Sequence, residues 1–227
     1  MISRRRLSFT IRVGIFVLAL AVRAGAQSPG IAAHRDPPPV ELEDPIEAIL
    51  APGGQRVTIG GKMLDFWWVK SLPLLSGTVD VSWAAVEEGT VVGAMKLSMS
   101  YPDVRGKTIP SGLYTLRYGV EQQNYDHPGV SPSRDFLLLS PAAVDSKAAA
   151  LGHDGVVALA KQTPGMLSLG PPAAPAAAVT PADIAAPGTM RNEAGQTAVI
   201  FSVPVSREGR DAGVLTFGLI LAGTTQP

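Results

Sequence analysis

The sequence predicts an all-β fold, an antiparallel β-sandwich with one short helical insertion. Three observations carry this. Apolar residues recur with a period of two in one segment after another. Glycine and proline stand at the junctions, at Gly60-Gly61, Pro110-Ser111-Gly112 and Pro128-Gly129, as at tight turns between short antiparallel strands. Helical patterning is confined to the stretch between Ala142 and Gln162. The pattern suits an immunoglobulin-like or a jelly-roll-like arrangement, and a small barrel would give nearly the same one.

Residues 1–27 read as an export signal rather than as part of the fold. Arg4–Arg6 form a basic start, and Val13–Val22 is an apolar run shorter than the ~20 residues that span a bilayer. Ala24-Gly25-Ala26 has the form of a cleavage site. Ser3-Arg4-Arg5-Arg6-Leu7, with Arg23 downstream, resembles a twin-arginine signal, and an arginine-rich Sec signal is the alternative. Either route predicts an exported, periplasmic or extracellular protein with no membrane span in its mature form. Residues 28–43, with Pro37-Pro38-Pro39, read as an extended arm. Residues 44–227 read as a single β-sandwich domain. Asp44 is placed as the N-cap and Pro45 as the first residue of a helical turn, Ile46–Leu50, that Pro52-Gly53-Gly54 ends.

The strands follow. Arg56–Ile59 alternates. Leu64, Phe66 and Trp68 share one face of the next strand, with Asp65, Trp67 and Val69 on the other. Val91, Gly93, Met95, Leu97 and Met99 line one face of a longer strand; Tyr114, Leu116 and Tyr118 alternate with Thr115 and Arg117. Phe136–Leu139 is a buried-strand run. The insertion is expected over 145–162, as an Ala-rich helix Asp145–Leu151 and a second helix Asp154–Gln162 stopped by Pro164-Gly165. Residues 170–188 are low-complexity Ala/Pro sequence, read as a mobile loop within the domain. Val199–Val205 and Leu215–Leu221 alternate again around the turn Arg207-Glu208-Gly209-Arg210. Pro204 cannot donate to a ladder, which places its strand end at an edge.

Composition narrows the chemistry. The chain has 227 residues, no cysteine and three histidines, which excludes disulfides, zinc-thiolate sites, iron–sulfur clusters and cysteine nucleophiles. The 19 basic and 19 acidic residues balance only because the first 27 residues hold five arginines and no acid. Without them, 14 basic residues face 19 acidic ones, a net charge of −5. That charge offers no footprint for nucleic acid. The sequence has no P-loop, dinucleotide fingerprint, nucleophile elbow, H-E-x-x-H or S-x-x-K pattern, and no cofactor is predicted.

One segment concentrates polar side chains, Gln122–Asp135. There Tyr125, Asp126, His127, Arg134 and Asp135 are candidate ligand-binding residues. His127 with Asp126 is the candidate metal or acid–base pair, and Arg134 the candidate carboxylate clamp. The alternative is a solvated loop in which Arg134 pairs with Asp135 or caps a carbonyl and Asp126 makes an Asx-turn. His153-Asp154 is a second candidate, against Asp154 as a helix N-cap. The aromatics are a third: Trp67, with Trp68, Trp83 and Tyr125, as a stacking platform for sugar rings, against burial in the core with bonded indole N–H groups. Glu87-Glu88 reads as a pair of solvated acids, and His34 is given no role.

Lys107-Thr108-Ile109-Pro110-Ser111-Gly112-Leu113-Tyr114-Thr115-Leu116-Arg117-Tyr118 and His127–Leu139 resemble an uncharacterised group of exported bacterial β-sandwich proteins. That group carries K-x-I-P-x-G-x-Y-x-L-R-Y followed by H-x-G-x-S-x-x-R-D-F-L-L-L. The resemblance covers most of the mature chain. It implies export and a β-sandwich, and it brings no activity. The expected function is a non-enzymatic binding or interaction module of the cell envelope, its partner an envelope protein or a small ligand. A metal-binding protein or enzyme built on the 124–135 loop is the first alternative, and a carbohydrate-binding module built on exposed aromatics the second.

Overall fold

The computed structural model describes residues 29–121, 134–170, 188–191 and 195–223. The expected export signal and nearly all of the 170–188 loop lie outside them. The elements are β1 (Gly30–His34), α1 (Asp44–Glu47), β2 (Gly54–Ile59), β3 (Lys62–Trp68), β4 (Leu72–Leu74), β5 (Val91–Leu97), β6 (Tyr101–Pro102), β7 (Thr108–Ile109), β8 (Gly112–Val120), β9 (Asp135–Pro141), α2 (Gly152–Ala160), β10 (Met166–Gly170), β11 (Thr189–Arg191), β12 (Thr197–Arg207) and β13 (Arg210–Ala222). The fold is all-β, as the period-two patterning predicts. Ten strands follow one another in the order β1-β2-β3-β5-β8-β9-β10-β13-β12-β11, and β6 pairs with β7 in a separate small sheet. Every contact along that order is antiparallel. Neighbours in space are mostly neighbours in sequence, so the large sheet is a curled meander. β4 adds to the far end of β12 in parallel, Leu72 opposite Val205.

The curl brings β3 against β12 and β13. Phe66 and Trp68, on one face of β3, stack on each other and meet Phe201 at 5.2 and 4.8 Å. Phe217 closes the cluster edge-on to Trp68 at 5.3 Å. Leu64, Met95, Leu116, Val203 and Leu219 extend the same core. The outer face of β9 has its own cover, because Phe136 and Leu138 pack against Val156 and Leu159 of α2. The β12–β13 hairpin turns where the sequence places it. Arg207 faces Arg210, and Glu208 and Gly209 both take left-handed backbone, at φ 53° and 74°, the combination a two-residue hairpin needs. Pro204 lies opposite Val214 of β13, and β4 pairs with Val205–Arg207 just beyond it, so this end of β12 is covered on both sides and is not the edge that its proline predicts.

Three other local expectations change. The 28–43 arm is extended but not free: Gly30–His34 is an edge strand on β2, His34 opposite Gly54. Five residues free of proline pair before Pro37 stops them. Helix α1 begins at Asp44, with Glu43 as N-cap and no side-chain cap. The Ala-rich stretch 145–151 is not helical, and the first full helix starts at Gly152. The reason lies across the sheet. Arg117 on β8 is fully buried, and its guanidinium donates to both carboxylate oxygens of Asp145 at 2.7 Å. It also donates to the carbonyls of Gly89, Lys147 and Ala149, and Thr115 donates to Asp145 as well. Those 147 and 149 carbonyls are acceptors a helix would use. The segment wraps the charge in place of coiling.

Candidate functional site

The Arg117 network fixes the turn Glu87–Thr90. Gly89 N donates to Tyr118 O at 2.8 Å, Tyr118 N to Thr90 O at 2.9 Å, and Gly152 N to Glu88 O at 3.0 Å. The turn thereby sits between β8 and the start of α2. On its outer side lies a cleft of about 320 Å³ lined by Trp83, Val86, Glu88, Tyr118, Arg134 and Asp135. Each lining residue is held by its own element. Trp83 opens a 3₁₀ turn, Trp83–Ala85, that buried Ala85 and Val86 anchor to the core. Its ring stacks on Tyr118 at 4.9 Å and meets Phe217 edge-on at 5.2 Å. Asp135 begins β9 and Arg134 precedes it, its carbonyl accepting from Glu121 N at 2.8 Å.

The electrostatics are mixed. Glu88 accepts from Val120 N at 3.3 Å and faces His153 Nδ1 at 3.0 Å. Tyr118 donates its hydroxyl to Asp135 at 2.7 Å. Burial and this bond push the Tyr118 phenol well above its ordinary range, so it stays a donor. Arg134 Nε points to the Glu121 carbonyl at 3.5 Å, the capping arrangement weighed above. The indole N–H groups separate the tryptophans. Trp67 donates to Asp36 O at 2.9 Å and Trp68 to Gln55 Oε1 at 2.7 Å, whereas buried Trp83 Nε1 has no acceptor among the described residues.

Of the sequence candidates, the structure brings Arg134 and Asp135 together at this cleft. Tyr125, Asp126 and His127 lie outside the described residues. Trp67 is not on a surface platform. It is 3 % exposed and packs edge-on to His34 at 5.0 Å, beneath the N-terminal strand. His153 joins the edge of the site through Glu88, and Asp154 lies in the first turn of α2 rather than capping it. Trp83, Tyr118 and Glu88 enter the site through long-range packing. Local spacing carries no signal for that, although Trp83 stood among the aromatic candidates. Among the described residues, no three His, Asp or Glu side chains are grouped to hold a metal ion, and no helix is long and apolar enough to cross a membrane.

Burial also raises the phenols of Tyr101 and Tyr114 above the usual value near 10. Tyr101 donates to Leu221 O, and Tyr114 to Pro110 O at 2.8 Å. A raised phenol keeps its proton in the folded state after the unfolded chain has lost it. Its contribution to stability is therefore complete below about pH 10 and declines as pH rises beyond that. With four tyrosines in the chain and three of them raised, tyrosinate absorbance at about pH 10.5 should rise in the native protein by well under the full denatured rise. A full rise without unfolding would show these hydroxyls open to solvent.

Comparison of the chain with protein-family models, with curated proteins and with solved structures finds no significant match.

Proposed function

We propose that this chain is an exported, non-enzymatic binding module of the cell envelope that takes a small polyhydroxylated ligand, a saccharide, in the Trp83–Tyr118 cleft. The carrying observation is the composition of that cleft. The Trp83 and Tyr118 rings, two carboxylates from Glu88 and Asp135, and Arg134 stand around one space of about 320 Å³. Hydroxyls donate to carboxylates and accept from a guanidinium, while the C–H face of a sugar suits an aromatic wall. The arginine-rich start and the resemblance to exported bacterial proteins support the compartment. The sugar-binding alternative thus moves from Trp67, which is core, to Trp83.

The test is a glycan array of bacterial envelope oligosaccharides probed with the chain from Ser28 onward, followed by calorimetric titration of any hit. Asp135→Asn and Arg134→Ala are expected to weaken binding by about tenfold or more, since each removes a charged hydrogen-bond partner. Trp67→Ala should act on stability alone. Binding unchanged in both cleft variants would overturn the assignment. So would a stoichiometric metal, found by elemental mass spectrometry and lost in His127→Ala, which would support the metal-site alternative.

A further inference from the structure

A second cavity lies on the other side of the same turn, and we infer that it binds a small amphiphilic cation, an alkylammonium. It encloses about 370 Å³, within the range of small-molecule sites. Ile49, Val69, Leu74 and Val91 form much of its wall, and Ala148–Ala150 line one side. Glu87 is the single charged residue on its lining among the described residues, and it is exposed at the rim. Ser71 and Thr90 are the other polar residues on the lining, and Thr90 turns its hydroxyl back to the Glu87 carbonyl at 2.7 Å. An alkyl chain fits the wall, and a cation answers Glu87. The net charge of −5 beyond residue 27 favours the approach of a cation as well.

The alanine side of this cavity is built before any ligand arrives. Consecutive alanines favour helix more than any other residue, yet Ala148–Ala150 are held outside one. Arg117 takes the carbonyls of Lys147 and Ala149 from below, fixing the wall at a set distance from Val91 and Leu74. A preformed wall removes an ordering cost from binding. The Glu87-Glu88 pair then divides its labour, Glu87 facing this cavity and Glu88 the saccharide cleft.

The inference does not rest on the saccharide reading, and titration calorimetry of the chain from Ser28 onward with n-hexylammonium, n-hexanol and n-hexanoate tests it. Hexylammonium is expected to saturate one site and hexanoate to bind at least about fivefold more weakly. Glu87→Gln should lower hexylammonium affinity by up to about fivefold, as for an exposed ion pair, and erase the preference. Ala149→Phe, at an exposed position, should abolish binding by filling the space while Tm holds. Three results would overturn the inference: no saturable binding of hexylammonium, equal binding of hexanoate, or binding lost in Asp135→Asn but intact in Glu87→Gln. The last would place the ligand in the other cleft.

Discussion

Arg117→Met is expected to cost about 3–5 kcal/mol of folding stability, the range for removing one partner of a buried ion pair. The substitution keeps the length and apolar stem of the side chain but strands Asp145, which is 4 % exposed. It also leaves the carbonyls of Gly89, Lys147 and Ala149 without their donor. Domains of this size are stable by only about 5–15 kcal/mol, so the urea midpoint should fall by a large fraction of its value. Asp145→Asn removes the countercharge while Arg117 remains buried, and a fall of comparable size is expected. The double variant Arg117→Met/Asp145→Leu separates charge burial from hydrogen bonding. If the ion pair were the whole effect, the double variant would recover wild-type stability, as some buried pairs do when replaced by apolar groups. Here the three carbonyls stay unpaired, at about 1 kcal/mol or more each, and the recovery should be partial. Full recovery would show that the guanidinium does not hold the 145–151 segment. Amide exchange in that segment should quicken in every one of these variants.

The same residue shows where sequence reasoning reaches and where it stops. Alternation of Tyr114, Leu116 and Tyr118 with Thr115 and Arg117 assigns β8 and its two faces, because the period of a strand is a local property. It cannot show that the second face is buried too. Nothing local to Arg117 signals that the chain 28 residues later lays Asp145 over it. The error over 145–151 follows from the same cause. Alanine propensity there is a weak prior, and a buried guanidinium with claims on the backbone overrides it. Trp67 and Trp68 behave alike: their opposite orientation was legible, but the cover over Trp67 comes from the N-terminal strand, through His34 and Asp36. That strand was hidden by the prolines that flank it, Pro29 and Pro37–Pro39. The hairpin at Glu208-Gly209 was legible in full, since turn chemistry and flanking alternation are both local. For the cleft, the sequence pointed to Arg134 and Asp135 because they flank a polar run. Trp83 and Tyr118 stack across 35 positions of chain, a pairing that no spacing rule predicts.

Gly93→Ala should prove nearly as damaging as loss of Arg117, at about 3 kcal/mol or more, although it adds a single methyl group. Gly93 sits on β5 beside an irregularity in the ladder, where Val91 faces Arg117, Gly93 faces Leu116, and Val92 is left over. A bulge of this kind bends a strand and tightens its twist. Here it lets both Val91 and Val92 be buried, and the displaced Val92 carbonyl accepts from Val69 N at 3.0 Å. On its other edge Gly93 lies opposite Trp68. A Cβ at this position would stand 2.5 Å from the Trp67 carbonyl oxygen and 2.9 Å from the Trp68 ring. Backbone cannot rotate away as a side chain can, so β3 and β5 would have to separate where the aromatic core closes. Gly209→Ala is the control. It meets nothing within 4 Å and disturbs only the left-handed turn, at about 1 kcal/mol. A thermal melt of the two variants should place Gly93→Ala well below Gly209→Ala, with near-ultraviolet circular dichroism of the tryptophans weakened in the former alone. Equal melting points would mean that β3 and β5 do not approach as closely as this bulge requires.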